Sequence, residues 1–150
     1  MANTKCDRPL ERSVILSKAK DPIVIRIIRY WLPLIAYAGL IFYLSSLPRL
    51  SIPQWFPHID KAAHFLEYGG LGFLCVRVVR FRFREIRKVE ILGALLGLAY
   101  GATDEIHQFF VPGRESSLTD LLVDGIGAAV GAVFYFYLRG KIFRGKEPAV

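Results

Sequence analysis

A chain of 150 residues that is 53% hydrophobic and 13% aromatic carries more apolar side chain than one soluble core of this length needs, and its charges gather in short blocks between apolar runs. The net charge of +7 comes without zinc-ligand spacing, an RNP-like aromatic strand or a basic recognition helix, which argues against a nucleic-acid partner and for membrane topology and contact with membrane lipids. Two cysteines, Cys6 and Cys75, give no disulfide framework, and the length leaves room for one domain.

In chain order, residues 1–22 are polar and basic with Pro9 and Pro22 as breakers, and are expected to form a poorly ordered cytoplasmic arm. From Ile23 the pattern turns apolar, and Tyr30 to Leu47 contains no charge, so this is the first membrane span. Basic residues Arg26 and Arg29 precede it as in a signal peptide, but no small-x-small cleavage site follows and the segment is expected to be retained. After the proline loop of residues 48–57, a second span runs from Asp60 to about Val79, with Lys61, His64 and Glu67 at one end and Arg77 at the other. The third begins at Val89 and needs residues up to Phe110 to cross, which places Asp104, Glu105, His107 and Gln108 in its last turns. The fourth needs Leu118 to Leu138, with Asp120 and Asp124 in its first turns, and residues 139–150 form a basic tail. The fold expected is all-α: a four-helix transmembrane bundle spanning residues 23–138 between two cytoplasmic basic ends.

Every lysine and arginine except Arg49, Lys61 and Arg114 falls on one side of such a bundle, so both termini are expected in the cytoplasm and the polar residues at the outer ends of spans two, three and four. Helical spacing places them on faces. Gly93, Gly97, Gly101 and Glu105 recur every fourth residue, Asp120, Asp124, Gly127 and Gly131 alternate at four and three, and Asp60, His64, Tyr68 and Gly72 form a third ladder with Glu67 beside it. Ionisable groups at membrane depth mark a functional site by default, and these three ladders are expected to converge on one pocket.

The blocks Asp60-Lys61-x-x-His64-Phe65-x-x-Tyr68, Asp104-Glu105-x-x-Gln108-x-Phe110-x-Pro112-Gly113-Arg114, and Asp120 with Asp124 and Gly127 resemble the VanZ-like family of small membrane proteins. One position departs: Asp124 stands where the pattern has asparagine. The resemblance implies a four-helix integral membrane protein of the bacterial cytoplasmic membrane, in a family whose namesake is linked to reduced teicoplanin susceptibility, and it carries no defined biochemical activity.

Structural readings stand beside each functional one. Ser117-x-x-Asp120 has capping-box spacing, Lys61 fits a snorkelling lysine, Arg114 a solvated turn residue, and Tyr30, Trp31 and Trp55 interfacial anchors. Glu105 fits a cap least, since a helix C-terminus disfavours an acid. It is expected to join His64 and Arg114 in one network. Two carboxylates one turn apart repel when both are ionised, and the helix start favours the anion at Asp120, so Asp124→Asn is expected to be mild and Asp120→Asn damaging.

Two function classes remain. In one, His64, Glu67, Asp104, Glu105 and Asp120 supply acid–base groups or metal ligands, while Asp60, Lys61, Tyr68, Gln108, Arg114 and Asp124 hold a lipid-linked envelope substrate. In the other, the same residues are a buried network that locks helix packing in a non-catalytic protein binding lipid or a partner. No ligand spacing such as H-E-x-x-H fixes a metal or cofactor, and the oligomeric state is not legible. A concave, water-reachable pocket favours the first class, and fully paired groups without a void the second.

Overall fold

The computed structural model describes residues 9–48, 59–83, 88–114 and 116–144, with side chains for those between 23 and 141. They form four helices and no strand: α1 (Pro9–Ser45), α2 (Ile59–Arg82), α3 (Val89–Gln108) and α4 (Leu118–Arg144). Three are long and apolar enough to cross a membrane, through Ile23–Ser45, Ile59–Arg82 and Leu118–Lys141. Helix α3 reaches about 30 Å at ~1.5 Å per residue. Its polar last turns keep it out of that class on composition, and Asp104, Glu105 and Gln108 there are buried against protein. Large apolar side chains from Ile23 to Leu47 on α1, and Ile126, Val130, Val133 and Phe134 on α4, face outward, as a lipid solvent requires.

The expected arm is corrected in part. Helix α1 starts at Pro9, inside it, because proline at the first helical position gives up an N–H that has no intrahelical acceptor there. Pro22 lies within the same helix. The basic end of α4 is helical to Arg144. Arg49, Trp55 and His58 lie outside the described residues.

Helices α2 and α4 run parallel in the closest contact of the fold, α3 runs antiparallel against both, and α1 lies on α2 and α3 without touching α4 among the described residues. Glycine sets the α2–α4 approach. A Cβ on Gly131 would overlap the Gly69 carbonyl oxygen, and one on Gly72 the Ala128 carbonyl. The stripe on α3 does the same work, with Gly97 against Ala128 and Gly72, and Gly101 over Tyr68 and Asp124. Two apolar clusters lie between the ends. Ile41, Tyr68, Leu71 and Cys75 join α1 to α2, and Val76, Val79, Val89 and Ala132 join α2, α3 and α4. Tyr100 donates its hydroxyl hydrogen to the Ala38 carbonyl at 2.7 Å, tying α3 to α1.

The two ends differ in chemistry. At one, Arg77 stands 4.9 Å from the Tyr30 ring centroid and donates to the Arg29 carbonyl, Arg26 lies over Phe81 and Arg80 over Phe136. Tyr30 stacks on Phe81 at 4.2 Å, so it is an internal contact as well as an interfacial aromatic. At the other end sit the histidine and the carboxylates.

Candidate functional site

The polar end is assembled by the three ladders and by two local devices. The first is the turn after α3, where the Arg114 N–H donates to the Val111 carbonyl at 3.1 Å around Pro112 and Gly113. Gly113 has φ 80°, a left-handed position that glycine occupies at no steric cost, as a type II turn demands. This reversal carries Arg114 back over the end of α1. The second is the start of α4, where the Ser117 hydroxyl accepts the Thr119 N–H at 3.2 Å. In a closed capping box the acid at position 120 would accept the Ser117 N–H. Here Glu105 Oε2 accepts it, at 2.7 Å from the neighbouring helix.

That substitution frees Asp120, which forms an ion pair with Lys61 at the rim of the bundle. Lys61 is therefore tied to protein, which corrects the snorkelling reading, although its side chain stays 39% exposed. One turn further in, Asp124 is fully buried and its Oδ1 lies 3.0 Å from His64 Nδ1. The two carboxylates of α4 thus have separate partners and do not share one site. On α3, Gln108 Nε2 donates to Asp104 Oδ2 at 3.0 Å.

Glu105 and His64 do come together: one ligand atom from each of His64, Glu105 and Asp124 lies within 4.8 Å of the others, all three residues buried. Arg114 does not join them by hydrogen bonds. Its Nε donates to the Leu47 carbonyl at 3.1 Å and a terminal nitrogen to that of Leu44 at 2.9 Å, since the last carbonyls of α1 lack helical partners and draw a cation. The expected Glu105–Arg114 contact is corrected accordingly: Arg114 is half-exposed, bonded to the end of α1, and lines the cavity without hydrogen-bonding a carboxylate.

Beside the cluster is a cavity of about 90 Å³ lined by Leu44, Ser45, Asp60, Ala63, His64, Glu67, Asp104, Gln108 and Arg114. It has room for a few waters or the edge of a polar head group. Six of the residues singled out in the sequence line it. Glu105 and Asp124 sit behind His64, Tyr68 is buried below, and Lys61 with Asp120 stands apart at the rim. Polar satisfaction is incomplete: Ser45 Oγ, the Tyr68 hydroxyl, Asp104 Oδ1, Glu105 Oε1 and Asp124 Oδ2 are buried without a hydrogen-bond partner. A network that served packing alone would pair them.

Sequence reasoning missed Ser45 and Ser46. Ser46 Oγ lies 3.0 Å from His107 Nε2, while the His107 ring stacks on Phe42 at 4.4 Å, fastening α3 to the end of α1. Two adjacent hydroxyls closing an otherwise apolar span were the available signal. Chemically the cluster offers an imidazole oriented by a buried carboxylate, facing a cavity lined by further carboxylates, an arrangement competent for proton transfer or for holding a cation.

A family described as VanZ/LLP1 matches residues 13–140, a stretch that contains the three blocks, all of α2 and α3, and α1 and α4 except the first four residues of the one and the last four of the other. The chain belongs to the VanZ/LLP1 family. No curated protein and no solved structure gives a significant match to it. In this member of the VanZ/LLP1 family the matched region is a membrane protein of several apolar helices, and its three polar blocks lie together at one end of the bundle.

Proposed function

We propose that the chain resides in a bacterial cytoplasmic membrane with both termini inside, and that its polar end faces outward and binds the glycan part of a lipid-linked envelope component. The observation that carries this reading is the cavity lined by Asp60, His64, Glu67 and Asp104, with buried acceptor oxygens left unpaired around it. Such a cavity is rich in acceptors and matches a donor-rich ligand, which the hydroxyl edge of a sugar is. Its volume admits only that edge. A separate apolar groove of about 390 Å³ between α2 and α4, lined by Phe65, Gly69, Gly70, Phe73, Gly131, Phe134 and Leu138, lies at membrane depth, where a lipid chain fits. Reduced teicoplanin susceptibility is the cellular outcome expected of such binding.

The competing reading, a network that only fastens helix ends, draws on the Lys61–Asp120, His64–Asp124 and Ser117–Glu105 contacts. Glu67 separates the two because it lines the cavity and makes none of those contacts. In nanodiscs, native mass spectrometry should show the full chain retaining diglucosyldiacylglycerol over phosphatidylglycerol, and Glu67→Gln should lose that preference at unchanged membrane accumulation. Equal retention of the two lipids by the unaltered chain, or an unaltered preference in Glu67→Gln, contradicts the proposal. In cells, Glu67→Gln should return teicoplanin susceptibility to that of cells lacking the chain.

A further inference from the structure

We propose that His64, Glu105 and Asp124 hold a divalent cation of the Mn²⁺ kind between α2, α3 and α4. The inference deepens the reading of the polar end as a binding site and rests on it for its purpose, but its evidence is separate. One imidazole nitrogen and one oxygen from each carboxylate lie within 4.8 Å of one another. Three atoms within 4.8 Å of one another lie within ~2.8 Å of a common centre, so ligand distances of about 2.1 Å are reached when each moves inward by about 0.7 Å.

Each of three buried carboxylates already has one partner, Gln108 for Asp104, the Ser117 N–H for Glu105 and His64 for Asp124, and a cation would add to these. Asp104, Glu105 and Asp124 are three buried carboxylates at one end of the bundle, and among the described residues no lysine or arginine pairs with them: Lys61 is on Asp120 and Arg114 on the α1 carbonyls. Taking a carboxylate out of water costs several kcal/mol unless a cation or a set of donors replaces the water. Hydrogen bonding gives an independent pointer. Glu105 Oε1 and Asp124 Oδ2 are buried with no partner.

The second oxygens of the same carboxylates are fixed, Glu105 Oε2 by the Ser117 N–H and Asp124 Oδ1 by His64 Nδ1. Of these only the Ser117 bond comes from outside the set; it orients Glu105 and leaves Oε1 free, the usual setting of a metal-ligating carboxylate, while His64–Asp124 is a contact between two of the ligands. One nitrogen with two or three carboxylate oxygens and no thiolate favours Mn²⁺ over softer ions, and the adjoining cavity supplies space for the waters that complete its shell. A cation at this point would also let the cavity bind a glycan hydroxyl through its oxygen.

The test uses the full chain in nanodiscs, stripped with chelator and titrated with Mn²⁺ under electron paramagnetic resonance. The expected result is one bound Mn²⁺ per chain with ¹⁴N coupling in the spin-echo modulation. That coupling should vanish in His64→Gln and persist in His107→Gln, and Asp124→Asn should weaken binding at least tenfold while keeping the fold, because asparagine still accepts from His64. Mn²⁺ uptake equal to that of empty nanodiscs, absence of ¹⁴N coupling in the unaltered chain, or coupling that survives His64→Gln overturns the inference. Glycolipid retention without Mn²⁺ binding removes the cation and leaves the function, whereas Mn²⁺ binding without glycolipid retention leaves the cation and removes the function.

Discussion

The two ends of this bundle handle charge in opposite ways. At the basic end, Arg26, Arg77 and Arg80 lie over aromatic rings at the helix surfaces, where each guanidinium keeps access to water and head groups. At the acidic end, His64, Asp104, Glu105 and Asp124 are drawn inside, and each is fixed by a neighbour from another helix or another turn. Charge kept at the surface orients a chain in a membrane. Charge taken inside costs free energy and persists where it does something that apolar packing would not.

The shaft joining the ends is where a single change should do the most damage. Gly131→Val drives a side chain into the Gly69 carbonyl, and since backbone has to move, a loss of at least ~3 kcal/mol is expected, read as failed accumulation or a collapsed thermal transition in detergent. If Gly131→Val accumulates normally, the α2–α4 contact does not hold the ends in place. Next comes Asp124→Ala, which strips the buried His64 of its acceptor and should cost about 3 kcal/mol, against less than about 1 kcal/mol for Asp124→Asn. Equal losses in thermal unfolding for the two substitutions would mean that the pair is not hydrogen-bonded as described.

Removing one partner of the rim pair by Lys61→Met should cost no more than about 1 kcal/mol, because that pair is partly solvated. The smallest effect belongs to the basic end. Arg77→Lys loses the guanidinium stacking on Tyr30 and the bond to the Arg29 carbonyl, worth about 0.5–1 kcal/mol. A larger loss there than at Asp124 would invert the comparison.

Much of this was legible in the sequence because the period of a helix is rigid. The glycine stripe ending in Glu105, the ladder from Asp60 to Gly72 and the series from Asp120 to Gly131 each name residues that the fold buries together, apart from the half-exposed Asp60. What periodicity does not carry is the identity of a partner in another helix. Asp120 had capping-box spacing, yet Glu105 took that position from α3 and Asp120 turned to Lys61. Glu105 resisted a cap reading because the reading considered only its own helix. Arg114 found the carbonyls at the end of α1 through a turn whose direction depends on Gly113. Depth, too, was not legible: Asp124 is the one enclosed with His64, while Asp120 stands at the rim.

The central claim, that the acidic end faces outward while the basic end stays in the cytoplasm, is tested most directly by cysteine labelling of intact cells. In a Cys6→Ser background, where the remaining Cys75 is buried, a cysteine is placed at exposed Thr119 beside the acidic end or at exposed Lys88 beside the basic end. A membrane-impermeant maleimide should label Thr119→Cys in intact cells and Lys88→Cys only after permeabilisation. Labelling of Lys88→Cys in intact cells, with Thr119→Cys protected, would contradict the account.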